Sequence, residues 1–168
     1  DLAEVKLGRI DLAREQGRLV PIQRGLVQDG SAVVVEGKNV KPDSESLATS
    51  ASHGIDANED ELLRTDDLCV ATVYSQRAEG LRVQQVGTDD PPLAAARSAI
   101  VVRPMPDVTD ADQDFLLDYL RSPLVMDYLR AHGMGISLNA HLLANLPAPA
   151  MDDALRVVWR DLSGIAIQ

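Results

Sequence analysis

Cysteine occurs once in the chain, at Cys69, inside the apolar run "LCVATV". One cysteine excludes an intramolecular disulfide and a cysteine-built zinc cluster, and its apolar neighbours predict a buried thiol, not a nucleophile. Aromatic residues are equally sparse, at 3% of 168 residues with Trp159 the single tryptophan, so the core must be built from Ala, Val and Leu. No apolar stretch approaches the roughly 18 residues of a membrane span, and the N-terminus lacks the basic-then-apolar pattern of a secretory signal. We therefore expect a cytoplasmic protein with no membrane partner. The chain opens at Asp1 without a methionine, which leads us to expect a piece of a longer or processed protein.

Signatures of catalysis are also missing. There is no GxSxG elbow, no Walker loop and no GxGxxG fingerprint. The histidines are His53, His132 and His141; none forms an i, i+4 pair with another or neighbours Cys69, so a metal site is not expected. "HGMGIS" at 132–137 carries two glycines but follows a helical pattern instead of a strand, which is the wrong context for cradling a phosphate. "DDPPL" at 89–93 is similar to the Asp/Asn-Pro-Pro-aromatic loop of adenine methyltransferases, but Leu93 replaces the aromatic and no glycine-rich cofactor strand precedes it. A double-proline turn between strands is the better reading. The carboxylate clusters at 56–67 and 107–118 are explained more simply by capping, helix-dipole complementarity and solvation than by a metal.

Positive charge is in deficit overall, with a formal net charge of -10. That balance argues against binding nucleic acid by bulk electrostatics, because phosphate neutralisation supplies most non-specific affinity. The distribution is uneven, however. Acids crowd "GIDANEDELLRTDD" and "PDVTDADQDFLLD", whereas 18–41 carries Arg18, Arg24, Lys38 and Lys41 against Asp29 and Glu36, and 77–103 carries Arg77, Arg82, Arg97 and Arg103 against Glu79, Asp89 and Asp90. A locally basic face on an acidic chain is compatible with this pattern.

The chain length suits one domain with a real core. Its first half reads as short strands: "RLVPI" (18–22), "SAVVVEG" (31–37), "LCVATVYS" (68–75), "LRVQQVG" (81–87) and "SAIVVRP" (98–104). They are Val- and Ile-rich runs punctuated by glycine turns and the Pro91-Pro92 pair. Residues 38–58 are polar and Ser-rich, and we expect a long surface loop there.

After Pro106 the periodicity becomes helical. Thr109 is a candidate N-cap with Asp112 at capping-box spacing, and Phe115, Leu116, Tyr119 and Leu120 form one apolar face. In "SPLVMDYLRAHG", Ser122 is the expected cap, Pro123 the first helical residue, and Leu124, Val125, Tyr128 and Leu129 the stripe, with Gly133 ending the helix. Asn139 is expected to cap "AHLLAN" before the extended Leu146-Pro147-Ala148-Pro149 exit. A last helix, capped by Asp152, places Leu155, Val158, Trp159 and Leu162 on one apolar stripe. The expected class is α+β: a β-rich N-terminal half with a twisted mixed sheet, then short C-terminal helices.

The order of the pieces is more specific than any of them. "PIQRG", "VVVEGKNV" leading into a polar loop, "LLRTDDLCVATVYSQRAEGLRVQQV" and "SAIVVRP" precede "DFLLDYLRSPLVMDYLRAHGMGISLNAHLLANLPAPAMDDALRVV". Over about residues 18–165 this resembles the target recognition domain of type I restriction-modification DNA specificity subunits and the related recognition domains of adenine-N6 DNA methyltransferases. The shared pattern is a leu-x-x-gly-asp-ile-leu strand, a strand ending in ile-arg-pro, paired short helices, a glycine turn, a leu-pro-x-pro exit and a terminal helix. The chain departs from it at "RTDD", where Thr65 stands at the place of the usual glycine, and in its acidity.

The resemblance implies a non-catalytic reader of double-stranded DNA in residues 1–150, with 151–168 starting a spacer helix that packs on a partner through Leu155, Val158, Trp159 and Leu162. It implies an adenine-N6 DNA methyltransferase subunit or domain and a restriction subunit as partners. No cofactor is expected in this chain, S-adenosylmethionine belonging to the methyltransferase. Readers are expected among polar and basic groups on turns: Arg24 beside Gly25, Lys38, Asn39 and Lys41 entering the long loop, Ser75, Gln76 and Arg77 before Gly80, and Arg97. Arg pairs bidentately with guanine, Asn and Gln with adenine, and Lys or Ser holds phosphate. Ser137 and Asn139 are weaker candidates for backbone contacts. Two other readings remain open: an interaction module that keeps the fold without reading DNA, and the recognition part of a fused methyltransferase.

Overall fold

The computed structural model describes residues 10–12, 19–20, 31–42, 46–50, 54–75, 77–104, 109–132, 137–144 and 146. Its strands are β1 (Ile10–Leu12), β2 (Leu19–Val20), β3 (Ala32–Val35), β4 (Gly54–Ile55), β5 (Leu68–Ala71), β6 (Val83–Gln85), β7 (Leu93–Ala96) and β8 (Ala99–Pro104). The helices are α1 (Asp110–Leu120), α2 (Pro123–His132) and α3 (Ala140–Ala144). The strands form two four-stranded sheets, ordered β1-β8-β5-β6 and β2-β7-β3-β4, the second of which is the mixed sheet expected. The first is antiparallel throughout. In the second, β7 runs parallel to both neighbours and β4 is antiparallel to β3.

Strand alternation sorts the side chains into layers. From β5 and β8, Leu68, Val70, Ile100 and Val102 face the helices and pack with Phe115, Leu120, Val125, Met126 and Leu129. Their neighbours Cys69, Ala71, Ala99 and Val101 face the other way, onto Val35, Leu93 and Ala95 of the second sheet. Full burial of each large aliphatic side chain contributes about 1.5–3 kcal/mol. β7 reads "LAAA" and carries no strand propensity, yet all four residues are buried. Both of its faces are covered, Ala95 by the first sheet and Ala94 by the cluster around Ala32 and Ile55. Small side chains there let the layers close together, so tertiary packing overrides local preference.

The polar segment 38–58 is not a plain surface loop. Short 3-10 turns form at Gly37–Asn39 and Leu47–Ser50, β4 follows, and Val40 and Leu47 are completely buried against the inter-sheet core. The expected α1 N-terminus is present: Thr109 Oγ1 accepts from the Asp112 N–H at 3.2 Å, and Asp112 Oδ2 accepts from the Thr109 N–H at 3.1 Å. Pro123 does open α2. The Ser122 hydroxyl, expected to cap it, is buried and has no hydrogen-bond partner among the described residues. Leu124, expected in the stripe, is 56% exposed, and Met126 takes its place in the core. Asn139 caps α3 as expected, its Oδ1 accepting from the Leu142 N–H at 2.8 Å.

The helices are docked through backbone as well as side chains. The Leu81 N–H donates to the Leu120 carbonyl at 3.1 Å, and the Arg121 guanidinium donates to the Val83 carbonyl at 2.7 and 3.1 Å. Gly80 makes this approach feasible, since a Cβ there would lie 1.8 Å from the Arg121 carbonyl oxygen.

Candidate nucleic-acid interface

The strand registers give the fold two chemically different ends. At one end β3, β5 and β7 finish and β6 and β8 begin, which collects residues 36–38, 72–75, 77–82 and 97–98. At the other end lie 56–67, 86–92, 104 and 109–114. The second end is strongly acidic, with Asp56, Glu59, Asp60, Asp66, Asp89 and Asp110 among its carboxylates. A cleft of about 330 Å³ opens there between Asp66, Gln85, Thr109, Asp110, Gln113 and Asp114. Such a carboxylate-lined cleft repels phosphate.

The first end is built around Ser98, in the two-residue turn where the chain passes from the second sheet to the first. The Ser98 hydroxyl accepts from the Gly37 N–H at 2.8 Å, and its carbonyl accepts from the Thr72 N–H at 2.9 Å and the Thr72 hydroxyl at 3.1 Å. Gly37 is required by this contact, because a Cβ would sit 2.3 Å from the Ser98 carbonyl oxygen. One serine thus fastens three segments that carry expected readers. Lys38 follows Gly37, Ser75 and Arg77 follow Thr72, and Arg97 precedes Ser98. Ser98 itself was not among the expected site residues; nothing in a Ser within a turn marks it as a junction between sheets.

Lys38, Ser75, Arg77 and Arg97 are all exposed. Lys38 lies 2.6 Å from Glu36 in a surface ion pair, while Arg77 and Arg97 make no ion pair among the described residues. Ser75 Oγ accepts from the Arg77 N–H at 3.2 Å and shapes the turn that presents Arg77. Arg82 joins this end, its Nη2 reaching the Val73 carbonyl at 3.4 Å. Three expected readers behave differently. Asn39 is 2% exposed and its Oδ1 accepts from the Glu36 N–H at 2.8 Å, so its amide caps a turn instead of facing solvent. Lys41 is exposed but sits beside the middle of β6, its N–H donating to Gln84 Oε1 at 3.1 Å. Ser137 forms a backbone bridge to Val73. Arg24, Gln76, Leu155, Val158, Trp159 and Leu162 lie outside the described residues.

In the "RTDD" turn the glycine-like position is Asp66, not Thr65. Asp66 has positive φ, at 72°, in the left-handed region that favours glycine. Its carboxylate accepts from Gln85 Nε2 at 2.9 Å, and its carbonyl accepts from the Gln113 side chain.

Two packed sheets with the helical layer over the first of them define an α+β fold. The chain is similar in fold to the crystal structure of the HsdS subunit from Thermoanaerobacter tengcongensis, with a TM-score of 0.57 and 18% sequence identity over 94% of this chain. The match covers 36% of that subunit, so the chain spans about a third of its length. No family model and no curated protein matches the sequence.

Proposed function

We propose that this chain is a sequence-specific double-stranded DNA recognition module that directs an adenine-N6 methyltransferase complex and performs no chemistry itself. The observation that carries this reading is the gathering of Lys38, Arg77, Arg82 and Arg97, against Glu36 and Glu79, at the Ser98 end of an HsdS-like fold, opposite the acidic end. In this reading residues 1–150 form the recognition domain and 151–168 begin the spacer that meets the methyltransferase, with a restriction subunit as a further partner. Arg77 and Arg97 reach bases or phosphates, and Lys38 holds phosphate. The segregation of charge supports DNA reading over the alternative of a pure interaction module, for which a uniformly acidic surface would be expected.

The test is methylation specificity. The full protein, expressed with its methyltransferase, is to be compared with Arg77→Ala and Arg97→Ala by mapping methylated adenines across a genome. Loss or broadening of the methylated motif is expected. An unchanged motif at unchanged efficiency would remove these two arginines from the interface.

A further inference from the structure

Among the described residues only two large apolar side chains are well exposed, and one of them, Val73 at 50%, stands at the basic end. Its neighbours Thr72 and Tyr74 are buried, so the exposure is that of a single side chain on an otherwise anchored segment. The anchoring is extensive. The Thr72 N–H donates to the Ser98 carbonyl, the Thr72 carbonyl accepts from the Leu138 N–H at 2.6 Å, Val73 bridges Ser137, and the Val73 carbonyl accepts from Arg82. The β5–β8 pairing ends at Ala71 and Ala99, and the Thr72–Ser98 hydrogen bonds bring Arg97, one residue before Ser98, to the same cluster of turns. A rigid, β-branched apolar group is thereby exposed on an anchored segment whose carbonyl Arg82 reaches and whose turn cluster includes Arg97.

We infer that Val73 is a specificity-determining residue that packs on the C5-methyl group of a thymine in the major groove, while Arg82 and Arg97 of the same cluster of turns engage the flanking phosphates or bases. This rests on the DNA-reading proposal above and adds the kind of base edge that this position selects. The methyl is the one apolar feature that a base pair offers in the major groove, and a fixed aliphatic side chain in a cluster of turns that carries cations suits it. Because the valine has few rotamers and its backbone is pinned, little conformational freedom is lost on contact.

The test begins with selection of bound duplexes from a random pool by the full chain. The preferred duplex is then resynthesised with uracil in place of each thymine in turn, which deletes one methyl and leaves base pairing intact. One position is expected to weaken wild-type binding about fourfold, the effect of one buried methyl group. Val73→Ala is expected to bind the parent duplex with a comparable loss and to be indifferent to uracil at that position. Circular dichroism should show the variant folded, because the side chain supports no core. If no thymine is sensitive, or if Val73→Ala keeps the same uracil penalty, the inference fails while DNA reading stands. If no sequence is enriched at all, both fall together.

Discussion

Arg103 holds Asp67 in a two-pronged ion pair, Nε to Oδ1 at 2.7 Å and Nη2 to Oδ2 at 2.5 Å, with both side chains almost fully buried. The pair ties the end of β8 to the start of β5 beside the inter-sheet core. Asp67 also accepts from the Arg64 N–H at 2.8 Å and so closes the turn before β5. Removing one partner strands a buried charge, at a typical cost of about 3–5 kcal/mol, whereas replacing both with apolar groups of similar volume is far milder. Asp67→Ala is therefore expected to lower stability by about that amount in urea denaturation. The double change Asp67→Leu with Arg103→Met should recover much of the loss, and a double variant no more stable than the single one would contradict this account.

The thiol of Cys69 gives a second measurement. Burial, reinforced by the nearby charges of Asp67 and Asp90, pushes its pKa far above the ordinary thiol value. Burial and then Tyr128 push the Tyr119 phenol up to about 12. Both groups are neutral acids whose folded pKa is raised, so the unfolded chain releases its protons first. Their contribution to stability is complete below the ordinary thiol range of about 8.5 and is lost as pH climbs through that range and the phenol range near 10. Stability should thus fall between pH 9 and 12. Tyr119→Phe should flatten the upper part of that decline. At pH 8 a thiol reagent should label Cys69 only in denaturant; rapid labelling of the native chain would show that the inter-sheet core is open.

Asp66 predicts an asymmetric pair of substitutions. A left-handed backbone costs an ordinary L-residue about 1–2 kcal/mol, and less for Asp. Asp66→Gly relieves that strain and loses the Gln85 hydrogen bond, worth about 1 kcal/mol net. The change in thermal stability should be small. Asp66→Val keeps neither advantage and should destabilise by about 1–2 kcal/mol. Equal effects of the two changes would mean that φ at this turn is not a constraint.

Salt dependence separates the two ends of the fold. Every phosphate that a cation neutralises adds about 0.9 to the steepness of log K against log salt. Lys38→Ala is expected to make the dependence shallower by about this amount, with little change in sequence preference. Asp56→Asn and Glu59→Gln, at the acidic end, should leave the slope unaltered apart from a uniform rise in affinity. A slope insensitive to Lys38 and sensitive to Glu59 would place the interface at the wrong end.

Much of this architecture was legible in the residues. The Val-rich runs became β3, β5, β6 and β8, and the Thr109–Asp112 spacing became a working cap, because propensity, periodicity and capping are local. β7 was hidden because three successive alanines carry no strand signal and are selected by layer spacing. β4 and the burial of Leu47 were hidden within a polar context for the same reason: their partners lie far away in sequence. For the site, exposed Lys38, Arg77 and Arg97 on turns were legible, but their convergence depends on Ser98. The fate of Asn39 turned on a short 3-10 turn that made its amide a cap.

Under the proposed DNA reading, the separation of charge between the two ends also bears on how the domain approaches DNA. A chain of net charge -10 is repelled by a polyanion at long range, yet the unequal ends of its described residues contribute a dipole on which the same field exerts a torque. At separations comparable to the Debye length, about 8 Å in physiological salt, that torque turns the Ser98 end forward and the carboxylates away. Encounters in the wrong orientation dissociate before they mature. Acidity in the body of the domain then works as a filter on approach: it weakens indiscriminate sticking while leaving one face able to land.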